Sequence, residues 1–225
     1  MTHIETLASC LLEGDPDKAW ACIENYPKSS GPDVYHNLMT PAMRHIGHLW
    51  ETNEITVADE HLATATCDFI LSKLSFGLGK EPTAGKAMFL CLDGEQHYLG
   101  LKMVDSLFQE QGWETRYFGP SLPLEYALQT AEKWKPDVIG LSVTIVYHLP
   151  KLKQYVEAFS QLPKKPAVLV GGRLTDLYDL RPYCSEDTVI LKDLPETEKW
   201  IQNKETGGQQ NGTTESNPSP PVFER

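Results

Sequence analysis

The hydrophobic period of this chain changes at Glu81–Gly85, and that change limits the folds open to it. Before it, apolar residues recur at helical spacing. Ile4, Leu7, Leu11 and Leu12 form one stripe, Ala19, Trp20 and Ile23 a second, and Met43, Ile46, Leu49 and Trp50 another. A short element around Val34, Leu38 and Met39 leads into Pro41. Asp15-Pro16 reads as an N-cap with proline at the first helical position. Thr56 with Asp59 reads as a capping box opening a long helix to Leu78. Short helices with brief links predict a small bundle.

After Gly85, short apolar runs alternate with amphipathic stretches. The runs are Ala87–Leu92, Thr115–Phe118, Val138–Ser142, Ala167–Val170 and Thr188–Leu191. Helices are expected to start near His97, Pro123, Leu149, Arg173 and Pro195. Five such units predict an α/β fold with an open, parallel, five-stranded sheet. The expected organisation is a bundle over residues 1–80, an α/β domain over 86–202 and a disordered tail over 203–225. The tail is rich in Gly, Gln, Asn, Ser and Pro.

Charge narrows the partners. The formal net charge is -11, which argues against direct nucleic-acid binding, since phosphates require clustered Lys and Arg. No basic, apolar leader opens the sequence, and no apolar stretch approaches the roughly 20 residues that span a bilayer. The five cysteines are scattered without a CxxC pair. They read as reduced, buried thiols of a cytoplasmic protein rather than a zinc site.

Three predicted loops carry the chemistry, all at the carboxyl edge of the sheet, where ligands of such folds bind. The first is Gly94-Glu95-Gln96-His97-Tyr98-Leu99-Gly100. The others follow Ser142-Val143-Thr144 and Gly171-Gly172. His97 can ligate a metal through one nitrogen while Glu95 accepts a hydrogen bond from the other. Gly100 leaves room for something bulky, Ser142 can donate to a ligand, and Gly171-Gly172 permits close backbone approach. One protein nitrogen with no second protein ligand points to a metal that brings its own equatorial ligands, as a corrin does. Tyr98, His36, His45, His48 and His148 read as structural or surface residues.

Glu95-x-His97-x-x-Gly100, then 41 residues, Ser142-x-Thr144, then 26 residues, Gly171-Gly172 is similar to the cobalamin-binding signature Asp-x-His-x-x-Gly … Ser-x-Leu … Gly-Gly. The resemblance covers residues 86–201. It implies a Rossmann-like (flavodoxin-like) domain holding cobalamin base-off, with His97 below the corrin as the ligand to cobalt. The detached nucleotide tail would pass Ser142, Thr144, Gly171 and Gly172. Glu95 in place of Asp and Thr144 in place of Leu are the departures.

Trp50, nine residues, then Glu60-His61 resembles the Trp-x9-Glu-His motif of adenosylcobalamin photoreceptors of the CarH/LitR type. That resemblance spans about residues 34–78. It implies that the bundle caps the upper corrin face, with Trp50, Glu60 and His61 over the adenosyl group. The photoreceptors' MerR-type DNA-binding domain has no counterpart here, and Glu51 stands where some of them have a His. His45, His48 and His61 are the nearby alternatives for a ligand after photolysis. The resemblance implies a light-responsive signalling protein, not an enzyme, acting through a protein partner or a homo-oligomer. It implies adenosylcobalamin, with methylcobalamin as the other form. The rival is a corrinoid carrier subunit of a methyltransferase system.

Overall fold

The computed structural model describes residues 1–27, 31–77 and 81–209. Helix α1 (His3–Leu12) begins at a capping box in which Thr2 and Glu5 satisfy each other's backbone amides. In α2 (Pro16–Glu24) the Asp15 carboxylate accepts from the Asp17 and Lys18 amides, and Pro16 sits where its missing N–H costs nothing. Helix α5 (Val57–Ser75) starts at the Thr56–Asp59 box that the sequence anticipates.

The element before Pro41 leads into the next helix without a break. Helix α3 (Gly31–Val34) runs through a π-helical turn, Tyr35–Met39, into α4 (Thr40–Glu51). The π turn widens the hydrogen-bond register just before the proline. Pro41 follows as the second residue of α4, directly after that turn.

The second part is a parallel sheet of β1 (Gly85–Cys91), β2 (Trp113–Tyr117), β3 (Val138–Ser142), β4 (Ala167–Gly171) and β5 (Val189–Ile190). The strand order is β2-β1-β3-β4-β5, and all pairs are parallel. The sheet is flanked by α6 (Leu99–Glu110), α7 (Leu124–Trp134), α8 (Leu149–Ser160) and α9 (Leu194–Gln209). No α-helix connects β4 to β5. The segment expected to be helical from Arg173 makes two short 3-10 turns, Arg173–Asp176 and Arg181–Tyr183. The turns of Asp179-Leu180-Arg181-Pro182 interrupt any longer helical run. Helix α9 continues through 203–209, so those positions are not the start of an irregular tail. The remainder of the expected tail, from 210, lies outside the described residues.

Period-2 alternation sorts β1 between two cores. Ala87, Phe89 and Cys91 pack with α6 and, through it, with the bundle. Met88, Leu90 and Leu92 pack with α7 and α8. A parallel sheet covered on both faces demands this. The first core is continuous from Leu7 and Leu11 in α1 to Phe89 in the sheet, so the bundle is seated on α6 rather than tethered beside it. Lys102 of α6 reinforces the seat by donating to the Asp68 carboxylate of α5 at 2.6 Å.

Candidate functional site

The strand order reverses between β1 and β3, and the loops leaving their carboxyl ends meet there. This is the position where an open α/β sheet exposes a crevice. Gly94, at φ +84°, turns the chain out of β1. Its amide donates to the Ser121 hydroxyl at 3.0 Å. Lys151 of α8 holds the same loop through the Asp93 carbonyl and carboxylate at 2.8 and 2.7 Å.

That turn sends Glu95 inward, where it is fully buried. Oε1 accepts from the His97 amide at 3.0 Å and lies 2.6 Å from His97 Nδ1. Oε2 accepts from the Thr144 and Ile145 amides at 2.8 and 3.2 Å and lies 3.2 Å from His148 Nδ1. Burial alone would raise this carboxyl's pKa. The donors that converge on it reverse the effect and hold it at about 2. Glu95 is therefore a fixed anion joining the loops after β1 and β3.

The anion acts on His97. The Glu95 hydrogen bond raises the imidazole's pKa against the opposing effect of burial. With Nδ1 donating to Glu95, the neutral ring carries its lone pair on Nε2. The His97 side chain is 60% exposed, so that nitrogen belongs to an accessible group. Among the described residues no cluster of three or more His, Cys, Asp or Glu could hold a metal ion. A single, oriented nitrogen suits a metal that arrives with its other ligands in place. The space over Gly100 is open, with nothing within 4 Å of where a Cβ would stand. These residues fit a corrinoid, which His97 would hold through Nε2.

The other sequence candidates fall into two groups. Ser142 is buried at the end of β3, paired in register with Cys91 and Gly171. Thr144 contributes its backbone amide to Glu95, a role its side chain does not determine. Gly171 meets only ordinary contacts. At Gly172, φ is +117° and a Cβ would lie 2.3 Å from the Val143 carbonyl oxygen. Only glycine fits there, because the ends of β3 and β4 touch.

From the bundle, Glu60 lies within electrostatic range of His97, as does Arg173 from the loop after β4. Glu60 accepts from the Thr64 hydroxyl and pairs with His61 at 2.8 Å. The His61 side chain is exposed. Trp50 is half exposed at the end of α4. Beside it Glu51 pairs with Arg173 at 3.0 Å, and Arg44 with Asp176 at 3.8 Å, so α4 is bridged to the loop after β4. His148, which the sequence reads as structural, is a further side chain that meets Glu95. The available signal is position: it lies in the loop after β3, beside a carboxylate with a second oxygen to satisfy.

The fold and site define a class: a capped, open α/β protein that presents one oriented histidine at the switch point of its sheet. Two family models, each described as a B12 binding domain, match residues 3–75 and 85–196. The chain belongs to this family, with a helical B12-binding cap followed by a Rossmann-like B12-binding domain.

The chain is 22% identical over 176 residues to dimethylamine corrinoid protein 1 of Methanosarcina acetivorans, covering 75% of this chain and 82% of that one. It is 26% identical over 127 residues to methionine synthase of Mycobacterium leprae, covering 55% of this chain but only 10% of that protein. The solved monomethylamine corrinoid protein of Methanosarcina barkeri superposes with a TM-score of 0.70 at 15% identity, over 88% of this chain and 95% of that one.

These relatives redirect the sequence reading. The cobalamin-binding expectation stands, but proteins related along most of the chain are named corrinoid proteins, not light sensors. Among the described residues no helix is long and apolar enough to cross a membrane.

Proposed function

We propose that this chain is a corrinoid carrier of a methyl-transfer system, presenting its cofactor to a separate methyltransferase. The observation that carries the reading is the Glu95 hub, which holds His97 oriented at the sheet's switch point. The relatives that span both parts of the chain support it. A bound corrinoid supplies a cobalt centre able to accept and give up a methyl group. The chain's own residues then have distinct tasks. His97 would hold the corrinoid's cobalt through Nε2. Glu95 holds the Nδ1 proton and the ring's orientation, and His148 with the Thr144 and Ile145 amides holds Glu95. The Gly171-Gly172 edge and Ser142 line the path for the nucleotide tail. Trp50 and Glu60 belong to the helical cap. The scattered free thiols and the acidic charge support a cytoplasmic protein that does not contact nucleic acid directly.

The test is spectroscopic. Cobalamin bound to the wild-type chain is expected to show a base-off, histidine-ligated spectrum. His97→Ala should shift it to a water-ligated form and weaken binding. An unchanged spectrum and affinity would remove the assignment.

A second reading, adenosylcobalamin-dependent light sensing, rests on the nearness of Glu60 to His97 together with the Trp50 spacing. It predicts that Trp50→Ala selectively weakens adenosylcobalamin against hydroxocobalamin. It also predicts that illumination changes the protein's hydrodynamic size, with water or one of His45, His48 and His61 taking the vacated upper position. Identical size before and after complete photolysis leaves the carrier reading.

A further inference from the structure

The cysteines are scattered along the chain, yet the fold brings two of their sulfurs together. Cys10 of α1 and Cys22 of α2 face each other with Sγ atoms 3.6 Å apart, one thiol donating to the other. The two thiols differ in access. Cys10 is buried, and burial together with the Cys22 hydrogen bond pushes its pKa up to about 11. Cys22 is half-buried and lines an open cleft of about 440 Å³ between the start of α1 and the end of α2, beside His3, Thr6 and Asn25. The other three thiols lack a sulfur partner among the described residues. Cys67 and Cys91 are fully buried and pushed up to about 12. Cys184 is half-buried and pushed up to about 11.

We propose that Cys10 and Cys22 are a reversible redox pair, converted to a disulfide by a peroxide that enters at Cys22. Disulfide sulfurs stand about 2.0 Å apart, so roughly 1.6 Å has to be closed from the 3.6 Å of the reduced pair. Rotation about the two Cα–Cβ bonds supplies that movement. Transient, sensing disulfides of this kind are the ones found in reducing compartments.

With hydrogen peroxide, the Cys22 thiolate attacks one oxygen, the O–O bond breaks, and hydroxide leaves with the proton that Cys22 gave up. Cys22 is then a sulfenic acid. The Cys10 sulfur attacks the Cys22 sulfur, the S–O bond breaks, and the departing hydroxide takes the Cys10 proton. Two thiols and one hydrogen peroxide thus give one disulfide and two waters. A small thiol reverses the change by attacking the Cys22 sulfur, which the cleft exposes, and releasing Cys10. A second thiol molecule frees Cys22 and leaves the reductant as its own disulfide. The bridge ties α1 to α2 within the cap, whose core also holds residues of α4 and α5. It uses none of the Glu95 hub, so it stands independently of the carrier reading.

The test is mass spectrometry of the folded full chain after a small molar excess of hydrogen peroxide, with the remaining thiols alkylated. Cleavage after Lys18 separates the two cysteines onto different peptides, so a bridge appears as a cross-link between them. The wild type is expected to lose two alkylatable thiols, to yield the Cys10–Cys22 cross-link as its main product, and to regain both thiols with dithiothreitol. The bridged chain should melt higher than the reduced one, because the link constrains the unfolded chain. Cys10→Ser should stop at a Cys22 sulfenic acid, trapped by dimedone. Cys22→Ser should slow the oxidation of Cys10 at least about tenfold, since a buried thiol of raised pKa is a poor first nucleophile. The cross-link in the wild type needs no variant to fold, and circular dichroism checks those that are made. Cys184 oxidised while Cys10 and Cys22 stay alkylatable would overturn the proposal, as would a mixture of pairings like that of the urea-unfolded chain. Oxidation of Cys10 at an undiminished rate in Cys22→Ser would overturn the entry at Cys22.

Discussion

Two buried carboxylates less than one helix apart in the chain behave in opposite ways. Glu95, at the mouth of the sheet, is held as an anion at about pKa 2. Asp105, inside α6, is pushed up by burial, with Thr115, Gln109 and Lys102 offsetting only part of it. Both are nearly inaccessible. The difference lies in the donors. Glu95 accepts from three backbone amides and approaches two imidazole nitrogens. Asp105 Oδ2 accepts from Gln109, and Oδ1 has no partner among the described residues. Burial alone therefore says little about the charge of an acid in this fold. A site that converges donors from two loops stabilises an anion, whereas a position on a helix face packed against a strand does not.

The largest expected effect tests the Glu95 side. Glu95→Ala strands His97, His148 and the Thr144 and Ile145 amides. Breaking a buried charged network of this kind costs about 3–5 kcal/mol. Denaturant unfolding should read that loss, and corrinoid affinity should fall with it. A loss within experimental error would mean that the hub is incidental to the fold.

The pH dependence should separate the two acids next. Glu95 has a depressed folded pKa, so its stabilisation is complete above its unfolded value near 4.5 and is lost as pH falls toward 2. Asp105 has a raised folded pKa. Its cost begins as pH climbs past the unfolded value of 3.8 and is complete above the folded one. Stability against pH in Glu95→Gln should lose the acid-side fall, and in Asp105→Asn the opposite slope. The comparison collapses if both variants change the same limb.

A smaller effect follows at fixed pH. Asp105→Asn removes a buried carboxyl with an unpartnered oxygen and should raise stability at pH 7 by about 1 kcal/mol, read as a higher melting temperature. Smallest of all is the exposed bridge between α4 and the loop after β4. Arg173→Ala should cost at most about 0.5 kcal/mol of stability. It should also make the arrangement of the cap, read by small-angle scattering, insensitive to salt. A large destabilisation would show that this pair anchors the cap as α6 does.

Much of this is legible in the chain itself. Val138–Ser142 stands where its apolar run predicts, and Thr56 and Asp59 satisfy each other as their spacing predicts, because both signals are local. At Arg173 the pattern misleads, because helical composition after β4 cannot outweigh the turns around Pro182. Before Pro41 the element is legible but its form is not, because a π turn is invisible to a 3.6-residue period. His148 escapes notice because nothing within its own segment reveals the oxygen it faces, 53 positions away.

From residue order alone comes the class: helical stripes, then alternating runs, with a carboxylate two residues before a histidine at the mouth of the first strand. Each rests on spacing within one segment, which the backbone's periods translate directly into faces and edges. Packing settled which atoms Glu95 gathers and why Gly172 must be glycine. Those outcomes depend on contacts between strands, loops and helices distant in sequence, and such contacts exist only once the sheet has brought them together.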